Sequence, residues 1–219
     1  MNTQHVIALI KKDLLLEWRK KYALYGAVLY VISTIFICYL SFKDAIDITT
    51  WNALFWIILL FSALNTISRN FQQDTAGKQL YHYTLSSPQS FIIAKIMYNS
   101  LVILFLAFIS LFIYTLFMGN QIENMGLFIA TLVLASTGFS TTLSMVSSIA
   151  IKTNNNVTLM SILSFPILLP LLLVLIKVSL NAVIGLSDPE NLKLIIVLAS
   201  INLTTIVLSY LLFPYLWRD

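Results

Sequence analysis

Residues 91–118 read FIIAKIMYNSLVILFLAFISLFIYTLFM, 28 positions with a single charge, Lys95, near the start. A helix of about 20 apolar residues crosses the ~30 Å hydrocarbon layer of a bilayer with every backbone group paired internally. Strands of a membrane barrel would be about 10 residues long and would alternate in polarity, which this stretch does not. It reads as a transmembrane helix whose first residues, Lys95 included, lie outside the hydrocarbon.

Five more runs of the same kind flank it, at about 22–42, 51–68, 127–151, 157–180 and 194–217. The 219 residues are 59% apolar, 13% aromatic and 10% charged, with a mean hydropathy of +0.89. A soluble domain is about 25% charged, so a soluble enzyme is excluded. The expected fold is an all-α polytopic membrane protein: one membrane domain over 1–219 with six transmembrane helices and no room for a separate catalytic domain. The first run is too long for the apolar core of a signal peptide and lacks a cleavage pattern behind it, so it is expected to stay as an anchor. Before it, residues 1–21 hold five of the 13 basic residues, and Ile7, Ile10, Leu14 and Trp18 share one stripe at 100° per residue. Leu9 and Leu16 fall opposite, so the segment reads as an imperfectly amphipathic interfacial helix.

Lysine and arginine set the orientation. With the N-terminus cytoplasmic, inside segments carry ten of the 13 (five in 1–21, then Arg69, Lys78, Lys95, Lys152 and Arg218). The outside loops carry Lys43, Lys177 and Lys193, two of them at helix edges where they can snorkel. Both termini are therefore expected in the cytoplasm. A net charge of +4, dispersed beyond residue 21, does not make a nucleic-acid groove.

Catalytic chemistry lacks its usual residues. The six glycines never form a phosphate-cradling loop followed by Lys-Ser/Thr, so ATP hydrolysis needs another chain. His5 and His82 have no second ligand at metal spacing, and the single cysteine, Cys38, sits in an apolar run. None of the nine acidic residues lies within an apolar run, which removes the usual equipment for ion coupling and for an aspartyl protease. No catalytic residue, metal site or cofactor of its own is expected.

Polar residues inside the spans are few and patterned. Thr137, Ser140, Thr141, Ser144 and Ser147 or Ser148 recur at three- and four-residue spacing beside Gly138. Such a stripe lets helices approach closely and bond across the interface, or lines a substrate path. Asn65, Asn99 and Asn202 read as helix-to-helix bonds. Pro166 and Pro170, four apart, remove two intrahelical bonds on one face and predict a kink.

The one substantial loop, about 69–90, is cytoplasmic and reads RNFQQDTAGKQLYHYTLSSP over 69–88. Asp74 and Lys78 at i,i+4 favour a short helix, Gly77 weakens it, and Pro88 closes the segment before the third span. Phe71, Leu80, Tyr81 and Tyr83 give it apolar anchors, so it reads as a coupling helix that docks on a cytoplasmic partner.

Arg69-x-Phe71-x-x-Asp74, followed by Leu80, Pro88 and Ala94-Lys95, resembles the cytoplasmic loop of the heme exporter protein B (CcmB) family. A second match is Ser-Ile-Leu-x-x-Pro-x-x-x-Pro over 161–170. With the length, six spans and basic N-terminal helix, the likeness covers essentially the whole chain. It implies a non-catalytic permease subunit of an ATP-binding-cassette complex in the bacterial inner membrane that serves c-type cytochrome biogenesis. The implied partners are the ATPase CcmA, which binds ATP and Mg, the membrane subunits CcmC and CcmD, and the heme chaperone CcmE. Two copies per complex are expected, with heme handled by the assembly and mainly by CcmC. On this reading Arg69, Phe71, Gln72, Asp74, Gly77, Leu80, Tyr81 and Pro88 form the ATPase-docking segment, while Thr137, Ser140, Thr141, Ser144, Pro166 and Pro170 pack helices or line a path. The family loop often has Asp-Gly and then Leu-Glu where this chain has Gly77-Lys78 and Leu80-Tyr81. The alternative is the permease of another compact six-span exporter, moving lipid or polysaccharide.

Overall fold

The computed structural model describes residues 3–20, 22–42, 46–72, 87–152, 157–186 and 189–218. Among them lie seven helices and no strand: α1 (Thr3–Lys20), α2 (Tyr22–Ser41), α3 (Ile48–Gln72), α4 (Pro88–Met118), α5 (Met125–Lys152), α6 (Val157–Ile184) and α7 (Pro189–Arg218). Helices α2 to α7 are each long and apolar enough to cross a membrane. The protein is thus the polytopic helical membrane protein that hydropathy predicts.

Most helices outrun their apolar runs because polar residues continue or cap them in the interfacial layer. Asp47 caps α3, accepting from the Thr50 amide at 3.2 Å and from the Thr50 hydroxyl. These bonds hold its carboxyl below the usual carboxylate range, the side-chain bond most of all. Ser87 caps α4, accepting from the Ser90 amide at 3.4 Å. Pro88 therefore opens α4 as its first residue, where a missing N–H costs nothing. Asn124 caps α5 through the Leu127 amide at 3.1 Å.

The turn between α4 and α5 is pinned to the end of α6. The Glu123 and Asn124 amides donate to the Val183 and Ala182 carbonyls, at 3.4 and 2.9 Å. Gly185 ends α6 at φ +77° with the Glu123 carboxylate packed where a Cβ would stand, so conformation and space both demand glycine there.

Helix α5 is the hub, packing on α3, α4, α6 and α7, while α2 lies outside against α3 and α4, and α1 rests mainly on α4. The core is aromatic at one end, where Trp51, Phe55, Trp56, Tyr114 and Phe128 are buried together. The Tyr114 hydroxyl donates to the Trp51 carbonyl at 2.8 Å, and the Trp56 indole N–H donates to the Ser179 hydroxyl at 2.7 Å. The outward faces stay apolar, for example Phe105, Phe112, Leu173 and Leu203, as contact with acyl chains requires.

Proline does not break α6: the helix runs through Pro166 and Pro170 without interruption. Both prolines stand on its exposed face, with Ile162, Phe165 and Leu169, away from the other spans of this chain.

Candidate functional site

The chemistry-bearing residues gather at the end of the bundle from which the 73–86 segment departs. Asn70, on the last turns of α3, donates through its side-chain amide to the Asn99 side-chain oxygen (Oδ1) of α4 at 3.1 Å. Asn99 in turn donates to the Ser144 hydroxyl of α5 at 2.8 Å. One turn away, Ser140 of α5 donates to the Ile96 carbonyl at 2.7 Å. Asn99, Ser140 and Ser144 are fully buried. The two helices that flank the 73–86 segment are thereby tied to each other and to the hub by one continuous polar chain.

The rest of the α5 stripe faces its other neighbours. The Thr141 hydroxyl lies 3.2 Å from that of Thr205 on α7, and Ser147 donates to the Met160 sulfur at 3.0 Å. Asn202 of α7 donates to the Leu134 carbonyl at 2.8 Å and to the Thr137 hydroxyl at 3.1 Å. Gly138 makes the approach possible: a Cβ there would stand 2.5 Å from the Asn202 side-chain oxygen and 2.7 Å from Leu171. Small residues and interhelical bonds replace the hydrophobic drive that lipid removes, each bond worth about 0.6 kcal/mol on average.

Lys95 is a cation buried by the N-terminal helix. It lies seven residues into α4, roughly 10 Å along the axis, and is only 3% exposed. Its ammonium pairs with Asp13 of α1 at 3.1 Å, and Asp13, 7% exposed, also pairs with Lys12 at 3.2 Å. The Phe91 and Tyr98 rings each lie 5.9 Å from the ammonium. Protein therefore satisfies the charge, because α1 covers it. The stripe of α1 that packs inward is Val6, Ile10 and Asp13, whereas Ile7 and Leu14 face outward, so the apolar stripe expected from periodicity divides between protein and membrane interface.

The remaining predicted positions fall as follows. Arg69 is exposed at the end of α3, against Gly26 of α2. Phe71 and Gln72 form the last turn of α3, and Pro88 the first of α4. Asp74, Gly77, Leu80, Tyr81 and His82 lie outside the described residues. Asn65 is exposed and among the described residues makes no interhelical bond, in contrast to Asn99 and Asn202. Among the described residues no cluster of three potential metal ligands occurs.

Asp13, Asn70 and the pairing of Lys95 escaped sequence reasoning. The signal was present as two isolated opposite charges: the only cation inside the third apolar run, and a carboxylate between Ile10 and Leu14 in a basic helix.

Residues 4–215 match the CcmB protein family. The chain belongs to the CcmB family. A comparison with curated proteins found no match. Membership makes this CcmB-family chain a multi-pass permease subunit of the heme-exporter machinery for c-type cytochrome maturation, of a kind that is generally non-catalytic.

Proposed function

We propose that this CcmB-family chain transmits the nucleotide-driven motion of a separate ATPase, CcmA, through residues 70–88 into its spans. On this reading two ATPase subunits close on ATP and Mg, displacing the segment anchored by Phe71, Gln72, Asp74, Gly77, Leu80 and Tyr81, with Arg69 and Pro88 at its two ends. The displacement reaches α3 and α4 together and shifts the bundle as a rigid body, serving heme export or release of the heme-loaded chaperone CcmE at the outer face. A nucleotide can shift the bundle only through contacts that differ between its two states, so the segment must meet the ATPase differently in each.

The observation that carries this reading is the Asn70–Asn99–Ser144 chain, which joins both flanks of the segment to the hub α5. A loop moving on flexible ends would dissipate its displacement, whereas buried, satisfied bonds make the three helices move together. The bilayer is the bacterial inner membrane, with both termini cytoplasmic, two copies per assembly, and CcmC and CcmD as membrane neighbours. The chain itself contributes no catalytic group, metal or cofactor.

Replacing Phe71 and Leu80 with Asp is expected to abolish co-purification of the ATPase while leaving membrane insertion intact. Undiminished ATPase recovery would overturn the docking assignment. Transport or turnover by the isolated chain would overturn the dependence on a partner.

A further inference from the structure

Beside the Asn70–Asn99 bond, α2 and α3 leave a small open cleft lined by Gly26, Ala27 and Tyr30 on one wall and Asn65, Thr66, Arg69 and Asn70 on the other. Thr66 and Asn70 spend their donors inside the protein, on the Ser62 carbonyl and on Asn99. Arg69, Asn65 and Tyr30 are exposed, and among the described residues their side chains make no hydrogen bond or ion pair. Among the described residues no carboxylate lines the cleft. The guanidinium lies against the bare backbone of α2, 3.2 Å from where a Cβ on Gly26 would stand, so glycine leaves room for it there.

The polarity along this wall is graded. Ile57, Phe61, Asn65 and Arg69 follow one another every four residues on the exposed face of α3, with Ile57 at 49% and Phe61 at 50% exposure. Four residues advance a helix by about 6 Å. From the middle of the span to its end, the face thus offers two large apolar side chains, then an amide, then a guanidinium. A membrane lipid presents the complementary series: acyl chain, ester carbonyls, phosphate. Arginine forks onto phosphate oxygens with paired charge-assisted hydrogen bonds, and basic pockets between spans at the membrane surface hold anionic headgroups.

We propose that the α2–α3 cleft is a binding site for one phospholipid with a net negative headgroup. Its phosphate sits on Arg69 and the Tyr30 hydroxyl, its ester region on Asn65, and one acyl chain along Phe61 and Ile57. A net negative headgroup is favoured over a zwitterionic one because Arg69 supplies a cation while, among the described residues, the cleft offers no carboxylate to receive a lipid ammonium. The proposal is independent of ATPase docking: it needs only that Arg69 lie at the membrane surface.

The test uses the full chain, purified in mild detergent and stripped of loose lipid, then supplied with phosphatidylglycerol, with phosphatidylcholine of the same acyl chains, or with inorganic phosphate. Native mass spectrometry counts retained lipid, and thermal unfolding in the same detergent reports its effect on the fold. Wild type is expected to retain one phosphatidylglycerol at least fivefold better than phosphatidylcholine and to unfold at a higher temperature with the former only. Arg69→Gln and Gly26→Leu should each lose that retention and that shift. Lys193→Gln, an exposed cation near the start of α7, should keep both. Should one cleft variant fail to fold, the other together with the wild-type lipid preference decides the matter. Equal retention of the two lipids, a shift produced by inorganic phosphate alone, or retention that survives both cleft variants would each overturn the proposal.

Discussion

Removing Lys95 should free α1 from the bundle, and the size of the effect follows from how little else holds α1. Among the described side chains of α1 only Val6 and Asp13 are buried, while Ile7, Leu14, Leu15 and Leu16 are exposed. Among the described residues the Asp13–Lys95 pair is a buried ionic contact between α1 and α4. Taking one partner from a buried pair leaves an uncompensated charge and costs about 3–5 kcal/mol, whereas replacing both with apolar groups of similar volume is often neutral or stabilising. Because Asp13 keeps its pair with the more exposed Lys12, Lys95→Met should cost less than that, about 1–3 kcal/mol, and raise the population of detached α1 roughly ten- to hundredfold, at 1.36 kcal/mol per decade. Hydrogen exchange read on peptides from residues 6–16 in detergent micelles measures that population. Asp13→Leu combined with Lys95→Met should restore protection to within about 1 kcal/mol of wild type. Lys12→Gln, which removes only the more exposed partner, should change exchange by less than about 1 kcal/mol. If Lys95→Met leaves α1 as protected as before, or the double variant is as damaged as the two single ones added together, the pair does not hold the helix.

Two further outcomes follow from local geometry. Gly138→Ala puts a methyl group against Asn202 and Leu171, and since Asn202 is fixed by two bonds to α5, the variant should lose about 1–3 kcal/mol in denaturant unfolding. Adding Leu171→Ala should recover part of that loss by making room; no loss from Gly138→Ala would mean the α5–α7 contact is loose. At the start of α3, bonding to Thr50 depresses the Asp47 carboxyl, so its contribution is present above the unfolded value and fades as pH falls through the lower folded one. Exchange of the Thr50 amide should therefore accelerate only in acid below the ordinary aspartate range, and Asp47→Asn should flatten that response.

Six spans were legible because each apolar run is about the length needed to cross the hydrocarbon layer as a helix, a property of composition that needs no neighbours. Helix ends were less so: Pro88 looks like the close of a loop, and only the cap at Ser87 shows that it opens a helix. Prolines 166 and 170 announce lost bonds but not which way they face, and the structure turns them outward. The serine and threonine stripe of α5 was readable as a face, while its partners Ile96, Thr205 and Met160 were not, because they come from three other helices.

The amino-acid order alone thus determined the membrane as solvent, the number of crossings and the absence of a phosphate-binding loop, since these depend on the sum or local spacing of side chains. It also carried the motifs by which the family is recognised. Tertiary structure alone decided that Lys95 is answered by Asp13, that Asn70, Asn99 and Ser144 form one chain, and that Arg69 turns toward α2. Partners separated by 29 to 82 positions are set by helix packing angles and approach distances, and these emerge only when the spans fit against one another.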